Sequence, residues 1–407
     1  MIKKTLLILF CFVLLLQIPF IYRRYEISKL DQQIKLNQEA GLSDQPQTEK
    51  AQDGFREYKG IIHAHTALGG HSTGTFNELL EAAESNRLDF VIMTEHYSAQ
   101  FDTAALTLKG KIGNTLYVAG NEIDANDGGR FLLIPGSGDA AELSKMPTAD
   151  VMRKIHSEGK IAVNNYPDRA RTEISGFDGM EVYSLHINAK SINKFMAAMD
   201  FIWSFSSYPE ATIASYFRRN DDYLSRFDNA SQKSRIFLTA GSDAHSNRGY
   251  YLLADDEGHR LIGFKIDPYT LIFKMVRNHV LVENTETGTE LTEASLLNAI
   301  KNGRLFIGFD VLGDTSGFRF TAENEQKKAT MGDEIAGPNV ILRSWAPKAA
   351  DFRLLCNGEI IAETTNSQNF EYKADRSGVY RIEVYLSQLG ENFQKTPWII
   401  SNPIYVR

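Results

Sequence analysis

The chain has 407 residues, with 44 Lys and Arg against 51 Asp and Glu, a formal net charge of −7 and a sequence pI near 5.8. That balance argues against a strongly basic nucleic-acid surface as its main business, and the length leaves room for two domains of ordinary folded composition. Its two cysteines, Cys11 and Cys356, stand far apart in the sequence and supply neither a disulfide framework nor a thiolate metal site.

Residues 1–25 depart from ordinary solubility. Lys3 and Lys4 precede an apolar run from Thr5 to Tyr22, interrupted only by Gln17 and Pro19, and Arg23 and Arg24 follow it. At about 1.5 Å per residue such a run reaches across a hydrocarbon core. With no small-x-small cleavage signal after it, an uncleaved signal anchor is expected, a single pass with the rest of the chain exported. Residues 26–54 are polar; Ile27, Leu30, Ile34 and Leu36 suit a short helix, and the remainder reads as a linker.

From residue 55 to about 310 short apolar runs alternate with helical patterns. Strands are expected at 60–65, 90–94, 116–119, 131–134, 161–164, 180–183 and 236–239. Thr75-Phe76-Asn77-Glu78 is a capping box, after which Phe76, Leu79, Leu80 and Ala83 share one helical face. A further helix over 147–157 stops at Gly159. This alternation predicts an α/β fold of parallel strands with helices outside, a barrel or an open sheet. Residues 190–235 are helical and aromatic, read as core or lid packing. Over 311–407 the pattern changes to period-two runs, with Asn357-Gly358 as a two-residue hairpin turn, and a small C-terminal β-sandwich is expected.

The chemistry-bearing residues fall at strand ends. His63 and His65, two apart on a strand, project from one face. Thr94-Glu95-His96 closes the second run, Gly120-Asn121-Glu122 the third, and Gly241-Ser242-Asp243-Ala244-His245 the last. In parallel α/β folds sites assemble at the carboxyl ends of strands. A set of imidazoles and carboxylates converging there suits a borderline divalent cation such as zinc, manganese or iron. His156 reads as a helix-face residue, and His259 and His279 lie outside these motifs.

With these motifs residues 58–310 resemble the polymerase-and-histidinol-phosphatase (PHP) family of metal-dependent hydrolases. His63 and His65 match its first motif, and His71 in Gly70-His71-Ser72 stands where the family carries an Asp or a metal-binding His. Thr94-Glu95-His96 matches Thr-Asp-His with Glu for Asp, Glu122 the bridging carboxylate, and Ser242-Asp243-Ala244-His245 the last motif. Gly179-Met180-Glu181-Val182-Tyr183 with His186 resembles the segment carrying a later His; Glu181 could instead orient an imidazole. Gly303-Arg304-Leu305-Phe306, Gly317-Phe318-Arg319-Phe320 and the segment from Pro397 to Val406 resemble the carbaryl-hydrolase-like branch.

The resemblance implies a distorted seven-stranded β/α barrel and a metal set of His63, His65, His71, His96, Glu122, His186, Asp243 and His245. His63, His65, Glu122 and Asp243 would hold one metal, and Glu122, His96 and His186 the other, with Asp243 also taking the proton of the attacking water. Before Pro167, where the family usually has His, the chain reads Asn165-Tyr166, which implies a one- or two-metal centre. Asn165, Arg169 and Arg248 are candidate contacts for an anionic substrate. The expected activity is hydrolysis of a phosphoester or related ester, with a carboxyl- or carbamate-ester hydrolase and a non-catalytic ligand-binding module as alternatives. The expected partners are a small-molecule ester and, through the N-terminal helix, a membrane, but no nucleic acid.

Overall fold

The computed structural model describes residues 2–43, 54–169, 176–247, 249–254, 260–284 and 290–407. Strands β1 (Phe55–Ala64), β2 (Phe90–Met93), β3 (Glu95–His96), β4 (Gly110–Ile112), β5 (Thr115–Val118), β6 (Asn121–Asp124), β7 (Arg130–Ile134), β8 (Ile161–Asn164), β9 (Gly179–Ser184) and β10 (Phe237–Ala244) build the part that carries the site. β1 runs parallel to both β2 and β10, β10 parallel to β9, and β9 parallel to β8. On the other side β2 is parallel to β5 and β3 to β6, while β7 lies antiparallel to both β6 and β8.

Burial on both faces explains the nearly unbroken apolar runs of these strands. Ile62, Ile92, Val118, Leu132 and Val163 pack together in one cluster. Ile61, Val91 and Met93 pack on the opposite face with Leu79, Ala82 and Ala83, residues of helix α2 (Phe76–Ser85). The capping box forms as expected: Glu78 N donates to Thr75 Oγ1 at 3.2 Å and Thr75 N to Glu78 Oε2 at 2.9 Å. Gly60 is required by proximity, since a Cβ there would lie 2.2 Å from the Phe90 carbonyl oxygen.

β11 (Gly249–Ala254) and β12 (Arg260–Lys265) form a separate antiparallel pair. β13 (Arg277–Glu283) lies antiparallel to the first half of β1 and to β14 (Leu305–Gly308). The C-terminal strands are β15 (Arg319–Glu323), β16 (Lys328–Thr330), β17 (Glu334–Ile335), β18 (Ile341–Cys356), β19 (Glu359–Lys373), β20 (Gly378–Tyr385), β21 (Ile399–Ser401) and β22 (Ile404–Val406). β18 and β19 form the hairpin announced by Asn357-Gly358, whose φ values of 54° and 88° are those a tight I′-type turn needs. β21 pairs with β14, Phe306 opposite Ser401, so the C-terminal strands are hydrogen-bonded into the same sheet. The class is therefore mixed α/β with one large mixed sheet. The distorted seven-stranded β/α barrel implied by the resemblance is not what the pairing gives, because β1 also engages β13 and the sheet continues into the C-terminal strands.

One expectation about the N-terminus is corrected. Among the described residues no helix is long and apolar enough to cross a membrane; the single-pass anchor, and with it the membrane partner and the membrane-tethered location, are set aside on that finding. The side chains of residues 5–14, most of the apolar run, lie outside the described residues. Helix α1 (Ile2–Ser43) includes the short helix expected around residues 27–36 and docks on the body, and the expected linker after it falls mostly on residues 44–53, outside the described residues. Ile27, Leu30 and Ile34 are buried in the main core. Arg23 pairs with Asp200, and Asn37 and Gln38 donate to the carbonyls of Leu312 and Val311, both at 3.1 Å.

Candidate metal centre

The strand ends bring the expected ligands together. His63 is the penultimate residue of β1 and Asp243 that of β10, and both carry positive φ, 71° and 47°. The β1–β10 and β1–β2 registers shift between Ile62 and Ala64, a bulge that turns the side chains toward one point. His63 Nε2 lies 3.5 Å from Glu122 Oε2 and 3.4 Å from Asp243 Oδ1; His65 Nε2 lies 3.3 and 3.5 Å from the same two oxygens. His96 Nε2 reaches Glu122 Oε2 at 3.2 Å.

Among the described residues two overlapping groups could hold a metal ion: His63, His65, Glu122 and Asp243, all buried, and His65, His96 and His245. His71 extends the second group on its exposed side, its Nε2 2.7 Å from His245 Nε2 and its ring centroid 4.2 Å from that of His96. His65 stacks between His96 and His245, with centroid distances of 4.8 and 4.5 Å. His186, on the helix Leu185–Ser191, is half-buried and belongs to neither group. His71 and His245, rather than His186, are the imidazoles that stand directly beside His96, while His186 lies near enough to feel the charges of Asp243, His245 and His63.

The donor chemistry fits a cation. His63 Nε2 and both ring nitrogens of His65 are buried without a hydrogen-bond partner, an expensive state unless something accepts their lone pairs. Burial pushes His65 down to about 4 and His96 to about 3, so both imidazoles stay neutral. Glu122 is lowered despite its burial, because His63 and His65 face it, and Asp243 is held well below the carboxylate range by the same imidazoles. Burial opposes charge on His63, but Glu181, Asp243 and Glu122 outweigh it and raise the imidazole well above its ordinary value. Burial raises Glu181 to about 7, with Asp243 and Glu122 adding to the effect and His63 opposing it.

The surrounding residues hold this set in place. Glu181 Oε2 meets His63 Nδ1 at 2.8 Å, fixing the ring so that Nε2 faces inward. Glu95 does not face the cluster: it accepts from Thr66 N at 2.9 Å and Thr66 Oγ1 at 2.6 Å, anchoring the turn that follows His65. Asn165 and Tyr166, in the place where the family carries His, act on the carboxylates. Asn165 Nδ2 donates to Glu122 Oε1 at 2.6 Å and Tyr166 OH to Asp243 Oδ2 at 3.1 Å. Burial and the carboxylates around it keep the Tyr166 phenol protonated.

Of the expected substrate contacts, Asn165 is fully buried against Glu122, Arg169 is exposed at the rim, and Arg248 lies outside the described residues. Sequence reading missed Arg130, whose Nε lies 3.4 Å from Glu122 Oε1 and 2.7 Å from Asp124 Oδ1. The register of β6 on β7 sets Arg130 opposite Asp124; from sequence alone it is a single arginine at the start of an apolar run.

No protein-family model matches the chain, and no curated protein matches it. Among solved structures, one similar to this chain is PsfC from Pseudomonas syringae PB-5123, at 12% identity and TM-score 0.35 over 63% of this chain and 94% of that one. Another is Endonuclease Q in complex with a 27-mer duplex substrate with an abasic lesion at the active site, at 13% identity and TM-score 0.34 over 70% of this chain and 60% of that one. Likeness at this level assigns no activity to this chain. The expectation of no nucleic-acid partner is withdrawn beside that neighbour, which was solved with duplex DNA; the DNA complex is a fact about that protein.

Proposed function

We propose that the chain is a metal-dependent hydrolase of PHP type acting on a phosphoester or related ester. The observation that carries this reading is the cluster itself: unpartnered buried imidazole nitrogens of His63 and His65 facing the Glu122 and Asp243 carboxylates. The parallel neighbours on both sides of β1, with the ligands at their carboxyl ends, support the relation to that family. In this reading residues 55–310 carry the chemistry and residues 311–407 support it.

His63, His65, Glu122 and Asp243 would hold one divalent cation, and His71, His96 and His245 a second. Bound there, such cations supply Lewis-acid polarisation of the substrate oxygen and make water acidic enough to attack at neutral pH. Glu181 orients His63, and Asn165 leaves only Oε2 of Glu122 to face the imidazoles. Asp243 takes the proton of the attacking water, and the Tyr166 hydroxyl holds its second oxygen in place meanwhile.

Elemental analysis of the purified full chain, with parallel assays on an aryl phosphate, a phosphodiester, an abasic DNA duplex and an aryl carboxyl ester, tests the reading. One or two bound divalent metals per chain and turnover lost in the double variant His63→Ala/His65→Ala are expected. Less than one metal per chain, or wild-type turnover in the double variant, overturns it. Turnover of the carboxyl ester alone moves the assignment to the carboxyl- or carbamate-ester alternative.

A further inference from the structure

Three cations gather on one aromatic ring at the edge of the cluster. The guanidinium carbons of Arg169 and Arg130 lie 4.5 and 5.1 Å from the Tyr166 ring centroid, and Lys190 Nζ lies 5.6 Å from it. Each is within the range of a cation–π contact, which preorganises the charges without neutralising them. Asp124 is the carboxylate that pairs with them outside the cluster, 2.7 Å from Arg130 and 3.7 Å from Arg169. Among the described residues, Asp124 and the Glu122 contact of Arg130 stand against three cations, so the exposed pair Arg169 and Lys190 keeps a positive excess. Arg130 is largely buried, whereas Arg169 and Lys190 are exposed, so the charge opens toward solvent.

The location is as telling as the charge. The Tyr166 ring carries the cations while its hydroxyl donates to Asp243, a residue of the candidate metal centre, so the cationic edge stands one tyrosine ring away from that centre. Arg130 makes the same link from its own side, reaching toward Glu122. Arginine forks match phosphate and carboxylate oxygens, and lysine adds a point charge.

We propose that Arg130, Arg169 and Lys190, arranged on Tyr166, form an oxyanion-binding subsite that holds a phosphoryl group of the substrate beside the His/Glu/Asp cluster. This deepens the hydrolase reading and rests on it for the substrate's role, but the binding of phosphate does not require turnover. The subsite selects phosphoesters over neutral carboxyl and carbamate esters, which offer the cations no formal charge to engage.

The test uses the full chain with its metal, the double variant Arg169→Ala/Lys190→Ala, and inorganic phosphate as the probe. Phosphate affinity measured by calorimetry is expected to fall at least tenfold in the double variant at wild-type metal content. The preference for an aryl phosphate over the carboxyl ester of the same phenol, taken as the ratio of kcat/KM values, is expected to fall by a similar factor. The salt dependence of phosphate binding is expected to flatten with it. Arg169→Lys should restore part of the affinity. Unchanged phosphate affinity, or equal losses on the charged and neutral esters, overturns the subsite while leaving the hydrolase reading intact. A protein that turns over no ester yet loses phosphate affinity in the double variant keeps the subsite and loses the hydrolase reading.

Discussion

His63 and Asp243 face each other across adjacent parallel strands, both with positive φ, and approach to 3.4 Å between Nε2 and Oδ1. Ser242 Oγ donates to the His63 carbonyl at 2.7 Å, tying the two unusual backbones together. Left-handed conformation at a non-glycine residue costs on the order of 1–2 kcal/mol and persists where the surroundings over-determine it. Here the bulge turns an imidazole and a carboxylate into one point.

The cost of that backbone can be read from two substitutions. Asn tolerates left-handed φ as Asp does, while Ala does not, and Asn keeps an acceptor for the Tyr166 hydroxyl. Asp243→Ala should therefore be less stable than Asp243→Asn by about 1–2 kcal/mol in chelator, by chemical denaturation, although both bind metal poorly. Equal stabilities would mean that the positive φ carries no strain.

Glu181 is a positioning residue for His63. Replacing it by Gln removes the charge behind the imidazole and should lower metal affinity by roughly 10–100-fold in a competitive chelator titration. Gly241 guards the same space, since a Cβ there would lie 2.0 Å from Glu181 Oε2. Gly241→Ala should displace the carboxylate, weaken metal binding comparably and cost about 1–3 kcal/mol of stability. Unchanged metal affinity in both variants would exclude the role.

A second buried network sets a pH dependence away from the metal. His279 Nδ1 meets Glu57 at 2.8 Å and its Nε2 meets Asp310 at 3.1 Å. Burial opposes its charge, but these carboxylates outweigh burial and raise it to about 9. A base raised on folding stabilises fully below its unfolded value near 6.5 and loses that contribution as pH rises toward 9. Glu57, lowered to about 2 against its burial chiefly by His279, expresses the same contact from the acid side, lost as pH falls from 4.5 toward 2. Denaturation in chelator should show stability falling by a few kcal/mol between pH 6.5 and 9, with a smaller slope in His279→Gln. An identical slope in that variant would assign the alkaline loss elsewhere.

The junction between the helix Asp221–Lys233 and β20 rests on Arg381, buried between Asp228, at 2.6 and 2.7 Å, and Glu383. Arg219 also reaches Glu383, at 2.7 Å. Removing one partner of a buried pair leaves an uncompensated charge, so Arg381→Met should cost about 3–5 kcal/mol. Metal content per folded molecule should not change; a loss of metal would mean that the C-terminal strands shape the site itself.

Much of the centre was legible in the chain. His-x-His, Thr-Glu-His, Gly-x-Glu and Asp-x-His each end an apolar run, and strand ends converge in parallel sheets. The helix caps, the Asn357-Gly358 turn and the β-rich C-terminal stretch were legible for the same reason, since each is a local pattern of turn chemistry or alternation. That His71 and His245, and not His186, stand against His96 was not legible, because a sequence places a residue along the chain and not around a pocket. Arg130 was missed because its partner Asp124 is set by strand register, a relation between distant hydrogen bonds.

By itself the sequence determined which residues can donate to a metal and that they fall where strands end, because side-chain chemistry and hydrophobic period are written residue by residue. Tertiary structure alone decided that His71 and His245 stand beside His96, and that Asn165 and Tyr166 brace the carboxylates. It also decided that α1 docks through Ile27, Leu30 and Ile34, and that β21 joins β14. Those outcomes depend on burial and pairing between segments far apart in the chain, energies that no local stretch contains.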